Sequence, residues 1–216
     1  MRFGLIYSAP RLYNLVLWAL YRARPRERFA VVADEIDEGD VVVDLCAGTS
    51  LLYEELANKK VEYRAFDINP RFIAALQAKG VEAHCCDIEA LEIPAADVVT
   101  MSSALYHFYP RCAELVGRMC ASARKKVILV EPVRNNADSS FFLWGAFARW
   151  MSKVDDKMVP FHFDGASFNA LLDGLDGSVL ARRLISDGRD MFAVLSCKAR
   201  SGSGIAEQRA RPAQLT

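Results

Sequence analysis

An apolar run that breaks on an acid and a small-residue turn constrains this chain more than any other feature: Val41-Val42-Val43-Asp44-Leu45-Cys46-Ala47-Gly48-Thr49-Ser50. The valines predict a buried strand. Cys46, Ala47, Gly48, Thr49 and Ser50 are all small, so backbone amides can approach a ligand closely before a helix begins. A second apolar run, Val61 to Phe66, ends on another acid, Asp67. A carboxylate at the tip of a second strand, about twenty residues past such a turn, is placed to accept hydrogen bonds from both hydroxyls of a ribose lying across the strand ends.

The turn lacks the G-x-G-x-x-G pattern that seats a pyrophosphate on a helix N-terminus, since only Gly48 is present. A ligand with ribose and adenine but no phosphates is the better match, and S-adenosylmethionine is the common one.

The same strand-then-helix grammar runs along the chain. Phe29, Val32, Ala33 and Ile36 recur at helical spacing ahead of the first strand, and Tyr13 to Tyr21 is rich in Leu and Trp, so two N-terminal helices are expected. Asn69 and Pro70 predict an N-cap and first turn, Phe72, Ile73 and Leu76 the apolar face, and Gly80 a left-handed stop. Strands are expected at Val81 to Cys86, Asp97 to Met101 and Lys126 to Val130, with a helix opened by Pro110 and faced by Cys112, Leu115, Val116, Met119 and Cys120. Val179 to Ile185 and Met191 to Ser196 flank Ser186 to Asp190, a strand pair around a tight turn. The predicted fold class is α/β: a doubly wound, mostly parallel seven-stranded sheet with an antiparallel edge strand and N-terminal helices.

Composition sets outer limits. A chain of 216 residues that is 52% hydrophobic supports one sizeable core, so residues 1–199 are expected to form a single domain, with 1–40 as a helical lid. Residues 200–216 are polar and predict a disordered tail. Lys plus Arg and Asp plus Glu both number 27, and this balance argues against a nucleic-acid partner. The six cysteines form no C-x-x-C pair, so no metal site is expected and the thiols read as reduced in a cytoplasmic protein. Leu15 to Tyr21 is too short to cross a bilayer, so no integral membrane segment is expected. The sequence is compatible with a homodimer without specifying one.

Four segments stand in register: Asp44-Leu-Cys-Ala-Gly-Thr-Ser, Phe66-Asp67-Ile68-Asn69-Pro70, Cys86-Asp87-Ile88, and Val98 through Ser102 and Tyr106 to Phe108. In order and spacing they resemble the successive motifs of class I S-adenosylmethionine-dependent methyltransferases, over roughly residues 26 to 198. The resemblance implies methyl transfer to oxygen, nitrogen or carbon of a small, fairly apolar acceptor, nearest the ubiquinone and menaquinone biosynthesis subgroup, with S-adenosylhomocysteine as product. It implies a cofactor site of Asp44, Cys46, Ala47, Gly48, Thr49, Asp67, Ile68, Asp87, Ile88 and Ser102. Asp67 takes the ribose, Asp87 reads the adenine amino group, and Ile68 and Ile88 lie against the ring. The family's usual loop has glycine at positions 46 and 50, where this chain has Cys and Ser; the turn is expected to survive, with Ser50 capping the next helix.

Methyl transfer from a sulfonium needs mainly alignment, so the acceptor side is read from what lies at the fourth strand's end. His107 and Tyr106 are the catalytic candidates, His107 either as a base or as a structural histidine. Tyr13, Trp144 and His162 are candidate acceptor contacts, and the apolar Phe141 to Met151 stretch reads as cover over the site mouth or as core. The alternative from another class is a noncatalytic S-adenosylmethionine-binding partner subunit, ahead of a dehydrogenase.

Overall fold

The computed structural model describes residues 26–133, 161–175 and 178–197. In chain order the elements are α1 (Arg26–Asp34), β1 (Val41–Leu45), α2 (Leu51–Glu55), β2 (Glu62–Asp67), α3 (Pro70–Gln77), β3 (Glu82–Cys85), β4 (Ala96–Ser102), a 3-10 turn (Leu105–Phe108), α4 (Cys112–Ser122), β5 (Ala123–Pro132), α5 (Gly165–Asp173), β6 (Ser178–Ile185) and β7 (Asp190–Ser196). Seven strands form one sheet in the order β3-β2-β1-β4-β5-β7-β6. The first five run parallel, and β7 pairs antiparallel with both β5 and β6, so the antiparallel pair forms one edge. The chain steps outward from β1 to β3, then returns to lay β4 on the other side of β1. That reversal opens a crevice at the carboxyl ends of β1 and β4, where ligands of doubly wound sheets bind.

The strands' period of two sorts the core onto two faces. Val43, Leu45, Val99, Met101, Val127 and Leu129 point to the face covered by α4 and α5, through Leu115, Val116, Met119, Phe168 and Leu172. Val42, Val98, Ile128 and Val130 point to the other, covered by Val32 and Ile36 with Leu52, Leu56, Ile73 and Leu76. Burial on both faces explains why these strands read as continuous apolar runs instead of alternating ones.

Local signals account for the element ends. Asn69 Oδ1 accepts the Arg71 N–H at 3.0 Å with Pro70 in the first turn of α3, and Gly80 takes φ 80° just past its end. Among the described residues the expected helix at Phe29 to Ile36 is α1. The helix expected at Tyr13 to Tyr21, the Phe141 to Met151 segment, Tyr13, Trp144 and the tail lie outside the described residues.

Two differences have physical causes. β5 begins at Ala123, three residues ahead of the expected Lys126, because Arg124 and Lys125 look like loop residues in sequence but pair with Asp97 and Asp40 while their backbone stays in the sheet. Helix α5 is absent from the sequence reading. It rests on a reciprocal cap, in which Asp164 Oδ1 accepts the Ser167 N–H at 2.7 Å and Ser167 Oγ accepts the Asp164 N–H at 2.9 Å, and it buries Phe168 and Leu172.

Candidate cofactor crevice and acceptor edge

At the end of β1 the chain makes the tight turn its small residues predict. Cys46, Gly48 and Ser50 have φ of 56°, 58° and 49°. Positions 46 and 50, where the resembled family carries glycine, therefore take the left-handed conformation without being glycine, at a cost of roughly 1–2 kcal/mol each. Several bonds hold the turn. The Ala47 N–H donates to Phe66 O at 3.1 Å, and Ser50 N–H to Ala47 O at 2.8 Å. Ser50 Oγ accepts the Tyr53 N–H at 3.3 Å as the N-cap of α2, and also hydrogen-bonds the Tyr63 hydroxyl.

Asp44 is buried at 4% exposure. Its hydrogen bond comes from the Tyr63 hydroxyl, donated from β2. Burial pushes the Asp44 carboxyl up to about 7, the Tyr63 bond draws it down, and the neighbouring Asp67 charge adds to the rise. Tyr63 is a residue that sequence reasoning missed. Its signal is register, since it pairs with Val42 on the neighbouring strand and faces the same side as the turn's cap.

Asp67 ends β2, with Oδ2 accepting the Gly48 N–H at 2.8 Å and Oδ1 the Asn69 N–H at 2.7 Å. Burial raises its pKa, and the amide donors of Asn69, Gly48 and Ile68 oppose that rise. A carboxylate has about four lone-pair positions, so two amides leave room for further donors. Thr49 is buried, Ile68 half-buried and Ser102, at the end of β4, half-buried. Asp87 is exposed after β3, and its Oδ1 accepts the Glu89 N–H at 2.9 Å. Ile88 packs into the core under α4.

At the β4 end, Ser103 takes φ 56° and its N–H donates to Val130 O at 2.7 Å before the 3-10 turn begins. That turn and residues 161–163 bring three predicted residues together: the Tyr106 ring lies 4.1 Å from the His107 ring and 4.9 Å from the His162 ring. Phe161 stacks on Tyr109 at 3.9 Å, fixing the segment that carries His162. Desolvation of the ring, and then the nearby His162 imidazole, lower the His107 pKa to about 4. The residue is exposed at its edge, so water limits that shift, whose direction keeps the imidazole neutral and makes it a weaker base than an ordinary histidine.

Beneath this edge lies a buried charged group that the sequence did not disclose. Arg28 in α1 spans both oxygens of Asp190 at 2.8 and 2.9 Å and hydrogen-bonds Ser103 Oγ. Glu131, fully buried near the end of β5, accepts the Ala104 and Leu105 N–H groups at 2.9 and 2.8 Å. The charges of Asp67, Asp44 and Glu131 all reach Cys46 and, with burial as the larger cause, push its thiol well above the ordinary value. Asp67 bonds the turn directly through the Gly48 N–H, while Arg28 has Asp190 as its ion-pair partner.

Residues 42–127 match a family model described as a methyltransferase domain, a stretch running from β1 into β5. No curated protein matches the chain. Among solved structures, a complex of a methyltransferase activator with a methyltransferase from Haloferax volcanii superposes with a TM-score of 0.67 at 11% identity, covering 91% of this chain and 99% of that one. A magnesium protoporphyrin IX methyltransferase from Synechocystis PCC 6803 with bound S-adenosylhomocysteine gives 0.58 at 15% identity, over 77% of this chain and 78% of that one. An O-methyltransferase family 2 protein from Planctomyces limnophilus, complexed with apigenin, gives 0.60 at 14% identity over 88% of this chain and 61% of that one. The chain has the class I methyltransferase α/β fold.

Proposed function

We propose that this protein is an enzyme that transfers the methyl group of S-adenosylmethionine to oxygen, nitrogen or carbon of a small, fairly apolar acceptor. The observation that carries the reading is the sign of the charge at the switch point. Asp67, at the tip of β2, accepts the Gly48 N–H of the turn at 2.8 Å, and Asp44 lies buried at the end of β1. A diphosphate would meet repulsion there, whereas a ligand bearing a sulfonium and an ammonium meets attraction.

The residues fit such a ligand part by part. The turn from Cys46 to Thr49 offers close backbone approach for the amino-acid portion, and Asp44 braces that turn through Tyr63 and Ser50. Asp67 is held by two amides in a fixed orientation at the strand tip, with lone pairs left for two ribose hydroxyls. Asp87, exposed after β3, is the candidate to read an exocyclic amine and the half-buried Ile68 to lie against the ring, while Ile88 packs in the core beneath them. When bound, the cofactor supplies a methyl group already activated by the sulfonium. The chain's own task is then mainly alignment and exclusion of water, with the His107 imidazole at the β4 end as the candidate base, weaker than an ordinary histidine, for an acceptor hydroxyl or amine. Tyr106 and His162 form an aromatic wall beside it that suits a quinol- or phenol-like acceptor, in line with the ubiquinone and menaquinone subgroup.

The test is formation of S-adenosylhomocysteine with a panel of quinols, phenols and amines. Turnover with at least one member is expected, faster for aromatic hydroxyls than for aliphatic amines. Cofactor binding with no turnover across the panel would favour the binding-subunit reading.

A further inference from the structure

Glu131 is buried to 0% exposure, yet the chemistry above gives it no proton to move. Its Oε1 accepts two consecutive N–H groups, Ala104 at 2.9 Å and Leu105 at 2.8 Å, and its Oε2 has no hydrogen-bond partner among the described residues. Those amides open the 3-10 turn that carries Tyr106 and His107. Ala104 stands at the cap position of that turn, where no side chain of the turn itself supplies a cap. Unsatisfied amides at a buried turn are costly, so an acceptor has to come from elsewhere, and β5 supplies it from 26 residues along the chain.

The other groups facing Glu131 come from four elements. Arg28 reaches it from α1, with a charge that favours the ionised form. Cys46 after β1 and Cys112 in α4 both feel its charge. Asp190, where β7 begins, pairs with Pro132 one residue along β5 and holds Arg28. A carboxylate is an expensive way to fill this space if packing were all that mattered, since burial outweighs its amide donors and the Arg28 charge and leaves its pKa raised from 4.5 to about 7.

We propose that Glu131 is a positioning residue for the acceptor: through the Ala104 and Leu105 amides it fixes the turn that aims Tyr106 and His107, and so governs acceptor use separately from donor binding. The consequence for activity rests on the methyl-transfer reading, whereas the hold on the turn does not.

The experiment compares the unaltered protein with Glu131→Gln and Glu131→Leu in three measurements: hydrogen exchange of residues 103–108, calorimetric affinity for S-adenosylmethionine, and kcat/KM for the best acceptor against pH. Gln keeps the accepting oxygen and Leu removes it. Exchange in the turn is expected to quicken by about tenfold or more in Leu and by much less in Gln, as loss of hydrogen bonds worth one to two kcal/mol predicts. The Leu variant should lose acceptor kcat/KM by about tenfold while donor affinity changes by less than about threefold. The inflection of the unaltered enzyme near pH 7 should shrink in the Gln variant, with Asp44 supplying what remains. Unchanged exchange in the Leu variant overturns the proposal, as does a donor affinity that falls as far as acceptor kcat/KM. If the Leu variant does not fold, the Gln variant decides through exchange of residues 103–108, which should quicken by about two- to threefold because a neutral amide oxygen accepts more weakly than a carboxylate, and unchanged exchange overturns the proposal. If the unaltered protein turns over no acceptor, the methyl-transfer reading fails, and the exchange comparison still decides whether Glu131 holds the turn.

Discussion

The two sides of the crevice bury their acids by different means. On the β1–β2 side, Asp67 is satisfied by amides of the turns around it, Gly48 and Asn69, so its environment is assembled from residues within 19 positions of it. On the β4–β5–β7 side, the buried charges are satisfied at long range: Arg28 meets Asp190 across 162 residues, and Glu131 reaches back 26 and 27 residues to Leu105 and Ala104. The first arrangement forms with the local chain. The second exists only once α1, β4, β5 and β7 have assembled, so it ties acceptor-side geometry to completion of the fold.

The largest expected effect follows from cutting that long-range side. Arg28→Met leaves Asp190 as an unpaired buried charge and should destabilise the protein by about 3–5 kcal/mol in denaturant unfolding. Adding Asp190→Leu should recover most of that loss, because what costs is the orphaned charge more than the missing pair. If the single and double variants are equally unstable, the ion pair is not what joins α1 to the sheet.

The local side should respond in binding more than in stability. Asp67→Ala is expected to weaken S-adenosylmethionine by on the order of 1–3 kcal/mol in calorimetry, the worth of one or two hydrogen bonds to a charged group. An affinity that does not move would remove the ribose assignment.

Acids from both sides meet in the pH dependence of stability. Asp44 and Glu131 titrate at about 7 when folded, against ordinary values of 3.8 and 4.5. Because the folded values are raised, the folded chain keeps protons that the unfolded chain has released, and the contribution of these groups to stability falls as pH rises from about 4 to about 7, then levels off. The Asp44→Asn, Glu131→Gln double variant should therefore lose less stability between about pH 6 and pH 7 than the unaltered protein, by on the order of 2 kcal/mol in urea unfolding. Parallel curves would show that neither carboxyl is shifted by burial.

The smallest effect sharpens the turn itself. Cys46→Gly removes left-handed strain and loosens the unfolded chain by comparable amounts, so a net change below about 1 kcal/mol is expected, whereas Cys46→Val should destabilise clearly more.

The same contrast explains what the sequence could disclose. The β1 turn, the Asn69–Pro70 cap, Gly80 and Asp67 announce themselves through residues adjacent to the structure they make. The seven strands were legible for the related reason that burial on both faces leaves continuous apolar runs. Arg28 was not legible, because nothing near it in sequence foretells Asp190, 162 residues away. Glu131 followed an apolar strand as Asp44 does, but its partners are amides two elements away. Tyr63 was hidden differently: its hydroxyl matters only because β1 and β2 pair in the register that sets Tyr63 beside Val42. His162 gained its place from Tyr106, a contact that spacing does not encode.

The central claim is that the acids around the Cys46 turn select a cationic, phosphate-free adenosyl ligand. Calorimetric titration of the unaltered protein with S-adenosylmethionine, S-adenosylhomocysteine and NAD tests it most directly. Saturable binding of the first two with no heat from NAD is the predicted result; tight NAD binding, or no heat from either adenosyl ligand, would contradict it.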